Sequence, residues 1–372
     1  MPDFESLIKP ALLAMPLFRP SAAAADVMKK YNLSSVTKLS MNENQYGPSP
    51  RAIEAMIGEA KSHAFQYPDR QGELLRAIAQ KHGVTPQGLA ISAGASGILN
   101  AIGDTFILPG DEVILSSMPY QQYPMVVARN DGKIVTIPVR EDLRQDLDAT
   151  LAAIGGKTKL IMLCNPGNPS SVAENTAELE AFIQKVPERV ILMVDEAYLD
   201  FATDPERKKS MIPNIERHPN LIVVRTFSKL YGLAGLRIGY GVSSPELIAC
   251  LSRGGALSSV NRLAMAAAIA ALEDESYQRF IYDSITEDRE MLAERFRGYG
   301  WAVYPSSTNF LYFKTGLDAG ALLEALQARG ILIRNFEFNR ISVGTREQNR
   351  ALLGALDEIL HSGALNRAAR SA

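Results

Sequence analysis

Val190-Ile-Leu-Met-Val194 runs without a polar interruption straight into Asp195-Glu-Ala-Tyr198, and the reading of this stretch decides the fold. Five consecutive apolar residues suit a strand covered on both faces, because a strand with one wet face alternates apolar and polar residues. A carboxylate at the end of such a strand stands where open parallel sheets bind their ligands, beyond the carboxyl edge. The same pattern repeats on either side. Lys159-Leu-Ile-Met-Leu163 ends in Cys164-Asn-Pro-Gly-Asn-Pro169, and Leu221-Ile-Val-Val224 ends in Arg225-Thr-Phe-Ser-Lys229. Glu112-Val-Ile-Leu115 leads to Ser116-Ser-Met-Pro-Tyr120. Leu89-Ala-Ile-Ser92 leads to Ala93-Gly-Ala-Ser96, which opens a helix. Helical periodicity separates these runs, as over 72–81 and 97–106. The fold class is therefore α/β, a mostly parallel sheet covered by helices. One edge of it collects a helix N-terminus, Tyr120, Asn168, Asp195, Tyr198, Lys229 and Arg237.

Past residue 255 the pattern changes. A long helical region over 262–297, broken near Asp274, precedes short strands near Val303, over 309–313, 331–333 and 340–343, with helices over 318–329 and 347–360. This predicts a smaller α+β domain over 256–372, a large domain over 46–255, and an N-terminal arm over 1–45 that joins the small domain or stands alone.

Composition narrows the function. The 372 residues carry 39 Lys and Arg against 41 Asp and Glu, a formal net charge of −2. No basic field exists to hold nucleic acid or an anionic membrane, so an anion must be met by a local site. Two cysteines and four histidines offer no disulfide framework and no metal-ligand spacing. The apolar run 11–18 is short, holds Pro16 and follows acidic residues, which argues against a signal or membrane segment and for a cytoplasmic protein. Gly155-Gly-Lys-Thr158 mimics the tail of a phosphate loop, but Leu151 stands where the first glycine belongs.

Together these residues resemble a pyridoxal-phosphate aminotransferase of the aspartate-aminotransferase-like fold, and more narrowly the histidinol-phosphate aminotransferase family. The carriers are Lys38-Leu-Ser-Met-Asn-Glu-Asn44, Tyr67-Pro-Asp69, Asn165-Pro-Gly-Asn-Pro169, Asp195-Glu-Ala-Tyr198, Ser228-Lys229 with Leu233-Ala-Gly-Leu-Arg237, and Arg340-Ile-Ser-Val-Gly-Thr-Arg346. Their order along nearly the whole chain is what makes the likeness specific. The resemblance implies a seven-stranded sheet in the large domain, pyridoxal 5′-phosphate as cofactor, an amino donor and a 2-oxo acid as substrates, and a homodimer with composite sites.

It also implies roles. Lys229 holds the cofactor covalently and then moves the proton. Asp195 keeps the ring nitrogen protonated. Tyr198 and Asn168 reach the phenolic oxygen, and Tyr120 stacks on the ring. Ser228, Arg237, Thr226 and the amides of Ala95 and Ser96 suit the phosphate, and Tyr67 reaches it from the neighbouring subunit. Arg340, Arg334, Asn44 and Phe18 fall to the substrate, with Phe18 standing where the family has a tyrosine. The implied reaction is transfer of the amino group of histidinol phosphate to 2-oxoglutarate. The alternatives are an aromatic aminotransferase, a decarboxylase of a phosphorylated amino acid, or a cofactor-bound sensor without turnover.

Overall fold

The computed structural model describes residues 4–13, 15, 24–254, 260–335, 339–362 and 365. Its strands are β1 (Thr37–Lys38), β2 (Leu89–Ser92), β3 (Glu112–Ser116), β4 (Lys133–Ile137), β5 (Thr158–Cys164), β6 (Ile191–Asp195), β7 (Leu221–Thr226), β8 (Gly239–Val242), β9 (Ala302–Val303), β10 (Phe310–Lys314), β11 (Ile331–Leu332), β12 (Arg334–Asn335) and β13 (Asn339–Ser342). Seven of them form one sheet in the order β2-β8-β7-β6-β5-β3-β4. All its pairings are parallel except those of β8, which runs antiparallel to both β2 and β7. The apolar runs read as doubly covered strands are buried along their length: every residue of β7, and Leu192–Asp195 in β6. Two neighbouring strands, β5 and β6, are in register at Cys164 and Asp195, so their loops emerge side by side.

Strand β8 is not announced by the sequence pattern. Gly239-Tyr-Gly-Val242 is half glycine and four residues long, too little pattern to separate from a turn. Its glycines have a packing reason. The Gly241 position faces Ile98 of the helix laid across the sheet, where a β-carbon would come within 3.1 Å of a methyl group.

The C-terminal part builds a second, antiparallel sheet in the order β12-β13-β10-β9. The helical region breaks where expected. One helix ends at Glu273 and the next, Glu275–Gly298, is capped by Asp274, whose carboxylate accepts from the Tyr277 amide. The last helix, Arg346–His361, opens with a reciprocal capping box between Thr345 and Gln348. Part of the N-terminal region belongs with this end of the chain: β1 pairs in parallel with β11, and Lys30 and Tyr31 both reach Glu324.

A single buried cation ties the long helix to the large sheet. Arg289 is fully buried, and its guanidinium donates to the carbonyls of Phe201 (2.8 Å) and Thr308 (2.9 Å) and to the Thr203 hydroxyl (3.3 Å). Phe201 and Thr203 follow β6, and Thr308 precedes β10. Methionine would fill the space and leave those acceptors dry. Arg289→Met is therefore expected to lower the unfolding free energy by roughly 3 kcal/mol or more. Urea midpoints measure this, and a change within about 0.5 kcal/mol would mean that water replaces the arginine.

Candidate active site

Asp195 closes β6 with its side chain buried. One carboxylate oxygen accepts from the Ala197 amide and the other from the Tyr123 hydroxyl, both at 3.0 Å. Among the described residues no cation pairs with it. Burial, and less strongly the charge of Glu196, push its pKa up to about 6, against the pull of the two hydrogen bonds. Glu196 is itself held by the Arg225 guanidinium at 3.0 Å. A buried carboxylate left without a cation calls for a positive partner from outside the chain.

Lys229 comes off the end of β7. Its amine donates to the carbonyls of Asn42 (2.8 Å) and Met41 (3.3 Å) and lies 5.2 Å from the centre of the Tyr198 ring. Burial first, and then the nearby Arg340 guanidinium, bring its pKa down from the ordinary 10.5 to about 7. A lysine poised near neutrality can be nucleophile and proton carrier in turn.

Asn168, Tyr198 and Arg340 form a chain beside it. Arg340 donates to the Asn168 carbonyl oxygen at 2.6 Å, which turns the amide nitrogen toward the Tyr198 hydroxyl at 3.3 Å. Asn42 adds a second amide donor to that hydroxyl at 3.2 Å. The Tyr198 oxygen thus accepts twice and keeps its proton for a third partner. Arg340 also donates to the Ser40 carbonyl at 2.9 Å and lies over the Phe310 ring.

An anion cradle lies along the same edge. The helix Ala95–Phe106 starts at Gly94 (φ 79°) with no side chain capping its first amides. The Arg237 guanidinium packs against Gly94 so closely that a β-carbon there would lie 2.5 Å from it. Glycine is required for the backbone angle; a β-carbon there would also push the Arg237 guanidinium aside. Thr226 and Ser228 stand at the end of β7 with their hydroxyls 3.0 Å apart, and Ser228 donates its amide to Thr226 Oγ1. Tyr120 precedes the helix Gln122–Arg129, with its ring edge-on to Tyr123 at 5.6 Å.

This arrangement matches a known family. The model of the family "aminotransferase class I and II" matches residues 34–356. The chain belongs to that family. Two relatives named histidinol-phosphate aminotransferase support the same placement. The one from Brevibacillus brevis is 36% identical over 364 residues, covering 96% of this chain and 99% of the relative. The one from Moorella thermoacetica is 36% identical over 357 residues, covering 94% and 92%. Among solved structures, the histidinol-phosphate aminotransferase of Sinorhizobium meliloti in complex with pyridoxal 5′-phosphate superposes with a TM-score of 0.87 at 31% identity, covering 96% of this chain and 98% of that one.

Aminotransferases of this family work with pyridoxal 5′-phosphate, and the donor set of this chain fits it. The unpaired carboxylate of Asp195 suits a pyridinium. The uncapped amides with Arg237 suit a phosphate dianion, and the depressed amine of Lys229 suits a carbonyl carbon.

Other predicted residues fall at the margins. Tyr67 is 95% exposed and so touches almost nothing of its own chain, although its carbonyl accepts from Arg262. Asn44 spends its carboxamide on the Leu230 carbonyl and the Tyr46 amide, which fixes the backbone next to Lys229. Phe18 lies outside the described residues. Two residues that the sequence pattern does not single out touch this cluster, Tyr123 on Asp195 and Asn42 on Tyr198. Tyr123 sits in Gln122-Tyr-Pro-Met-Val-Val127, where helical spacing reads as plain core. Asn42 stands two residues before Asn44 in the same motif, and only the fold shows which of the two faces Tyr198.

Proposed function

We propose that the enzyme transfers the amino group of histidinol phosphate to 2-oxoglutarate, a step of histidine biosynthesis. The observation that carries this reading is the register of β12 on β13. Arg334 and Arg340 are direct cross-strand partners, so their side chains leave the same face of the sheet. Like charges placed opposite each other are destabilising unless an anion lies between or above them. Two guanidinium forks suit a phosphate dianion better than a single carboxylate. The relatives named above carry the same substrate in their names.

In this reading the pyridoxal phosphate supplies an electron sink for the substrate's α-carbon. The residues of the chain do the rest. Asp195 stays ionised and keeps the ring nitrogen protonated. The Lys229 amine anchors the cofactor and then carries a proton to and from the α-carbon. Tyr198, held by Asn168 and Asn42, directs its hydroxyl proton at the phenolic oxygen, and Tyr120 stacks on the ring. Arg237, Ser228, Thr226 and the amides of Ala95 and Ser96 hold the cofactor phosphate. Arg334 and Arg340 hold the substrate's anionic end, while Asn44 supports the backbone beside Lys229. A panel of half-reactions tests the substrate. Histidinol phosphate should convert the bound cofactor to its amine form at far lower concentration than phenylalanine, tyrosine or phosphothreonine. Equal or better reaction with phenylalanine would make this an aromatic aminotransferase.

The working unit in this proposal is a cytoplasmic homodimer. Among the described residues no helix is long and apolar enough to cross a membrane. Phe65 and Tyr67 are both more than four-fifths exposed on one short segment, an arrangement that suits a partner surface. If Tyr67 reaches the phosphate of the other subunit, mixing Tyr67→Phe and Lys229→Ala chains should yield hybrid dimers with one site free of both changes. Cofactor titration of the hybrids should then show one site of wild-type affinity per dimer. Uniformly weakened sites would place Tyr67 in its own subunit.

A further inference from the structure

Asp195 depends on two donors, and one is a side chain that the reaction itself does not call for. Tyr123 lies in the first turn of the helix Gln122–Arg129, is 1% exposed, and donates its hydroxyl proton to Asp195 Oδ2 at 3.0 Å. Its ring also packs edge-on against Tyr120. Phenylalanine would fill that space equally well. A buried hydroxyl needs a partner, and backbone carbonyls usually serve. Here the hydroxyl is spent on a buried carboxylate with which, among the described residues, no cation pairs.

We propose that Tyr123 is a positioning residue of the active site, holding Asp195 ionised and aimed at the cofactor's ring nitrogen. The proposal rests on the cofactor geometry given above. Charged or titratable groups reach the carboxylate from several elements. Cys164 faces it from β5 and Glu196 adjoins it in the chain. Lys229 approaches from the loop after β7, and Tyr120 from the loop before the helix. Arg225 already occupies Glu196, and the Lys229 amine is needed for chemistry. The Ala197 amide and the Tyr123 hydroxyl are thus the principal counterweights to burial. Tyr123 is a dependable donor, because burial, followed by the charge of Asp195, holds its own pKa well above the ordinary value. It keeps its proton throughout the pH range in which Asp195 titrates.

The test is titration of the cofactor-free protein with pyridoxal 5′-phosphate across a pH range bracketing about 6, where burial brings the Asp195 carboxyl. Removing one hydrogen bond to a charged group weakens binding by about 10-fold or more. Tyr123→Phe should show that loss at neutral pH, with the acid limb of the pH dependence moved upward. The shift in the limb is a readout that mere packing would not move. In an Asp195→Asn background the same substitution should change affinity by less than about 2-fold, because the group it acts through has gone. Equal losses in both backgrounds, an unmoved acid limb, or a Tyr123→Phe protein that does not fold would each overturn the proposal. Wild-type affinity in Asp195→Asn alone would remove the carboxylate's own role, and the proposal with it.

Discussion

Lys229→Ala is expected to leave a folded protein that takes up pyridoxal 5′-phosphate without a borohydride-reducible bond to the chain. Turnover should fall by roughly 10³-fold or more, since in the proposed reading the variant loses both the anchor and the proton carrier. The fold should tolerate it because the side chain lies outside the apolar core clusters. Its amine rests on the carbonyls of Met41 and Asn42 and lies over the Tyr198 ring. A second readout needs no cofactor. The folded value of about 7 lies below the ordinary 10.5, so the fold favours the neutral amine. The contribution to stability is fully present above 10.5 and is lost as pH falls through about 7. Without cofactor, the wild type should therefore gain stability relative to Lys229→Ala as pH rises between those values. Denaturant midpoints across that interval measure the gain. A constant difference would mean that the amine is solvated and not tuned. Mass spectrometry after borohydride treatment decides the anchor: a labelled Lys229→Ala chain would move the covalent bond to another lysine.

The large sheet was legible because its strands are buried on both faces and so read as unbroken apolar runs, as in Val190-Ile-Leu-Met-Val194. Placing ligands at the carboxyl edge of a parallel sheet then brought Asn168, Asp195, Tyr198 and Lys229 together without a structure. Two kinds of feature stayed hidden. Gly239–Val242 carries too little pattern, and its antiparallel direction depends on pairing with β2 and β7, which are far apart in sequence. Tyr123 and Asn42 were invisible for a different reason. A tyrosine at helical spacing reads as core whether or not its hydroxyl reaches a carboxylate. Likewise, two asparagines two residues apart differ only in what the fold brings opposite each. Asn42 takes a positive φ of 55°, and that turns its carbonyl to Lys229 and its amide to Tyr198. Asparagine tolerates that conformation, but no local pattern announces it.

Arg334→Ala separates the phosphate reading from a general amino-acid aminotransferase. The two arginines face each other across β12 and β13 but are held differently. Arg340 is buried and hydrogen-bonded to Asn168 and Ser40, so in the proposed reading it borders the cofactor as well as the substrate. Burial, joined by the charge of Arg334, brings its pKa down to about 10, still far enough above neutrality to keep it charged. Arg334 is only partly covered, and its guanidinium donates to Gln121 at 3.0 Å, beside Tyr120. It can move its donors to an incoming anion without breaking the cofactor network. Losing a charge-assisted contact costs about 1.5–3 kcal/mol, a factor of roughly 10 to 150 in binding. Arg334→Ala should raise KM for histidinol phosphate by that factor and leave kcat within a few-fold, because the contact is made equally in the ground and transition states. Phenylalanine, whose anionic end is a singly charged carboxylate in place of the phosphate dianion, should be affected by less than about 3-fold. Arg340→Ala should instead depress turnover with both donors, since it also frees Asn168 and through it Tyr198. Steady-state kinetics of the two variants on the two donors decides the matter. Parallel losses on both donors in Arg334→Ala would make that arginine a carboxylate or structural contact and remove the phosphate from the proposal.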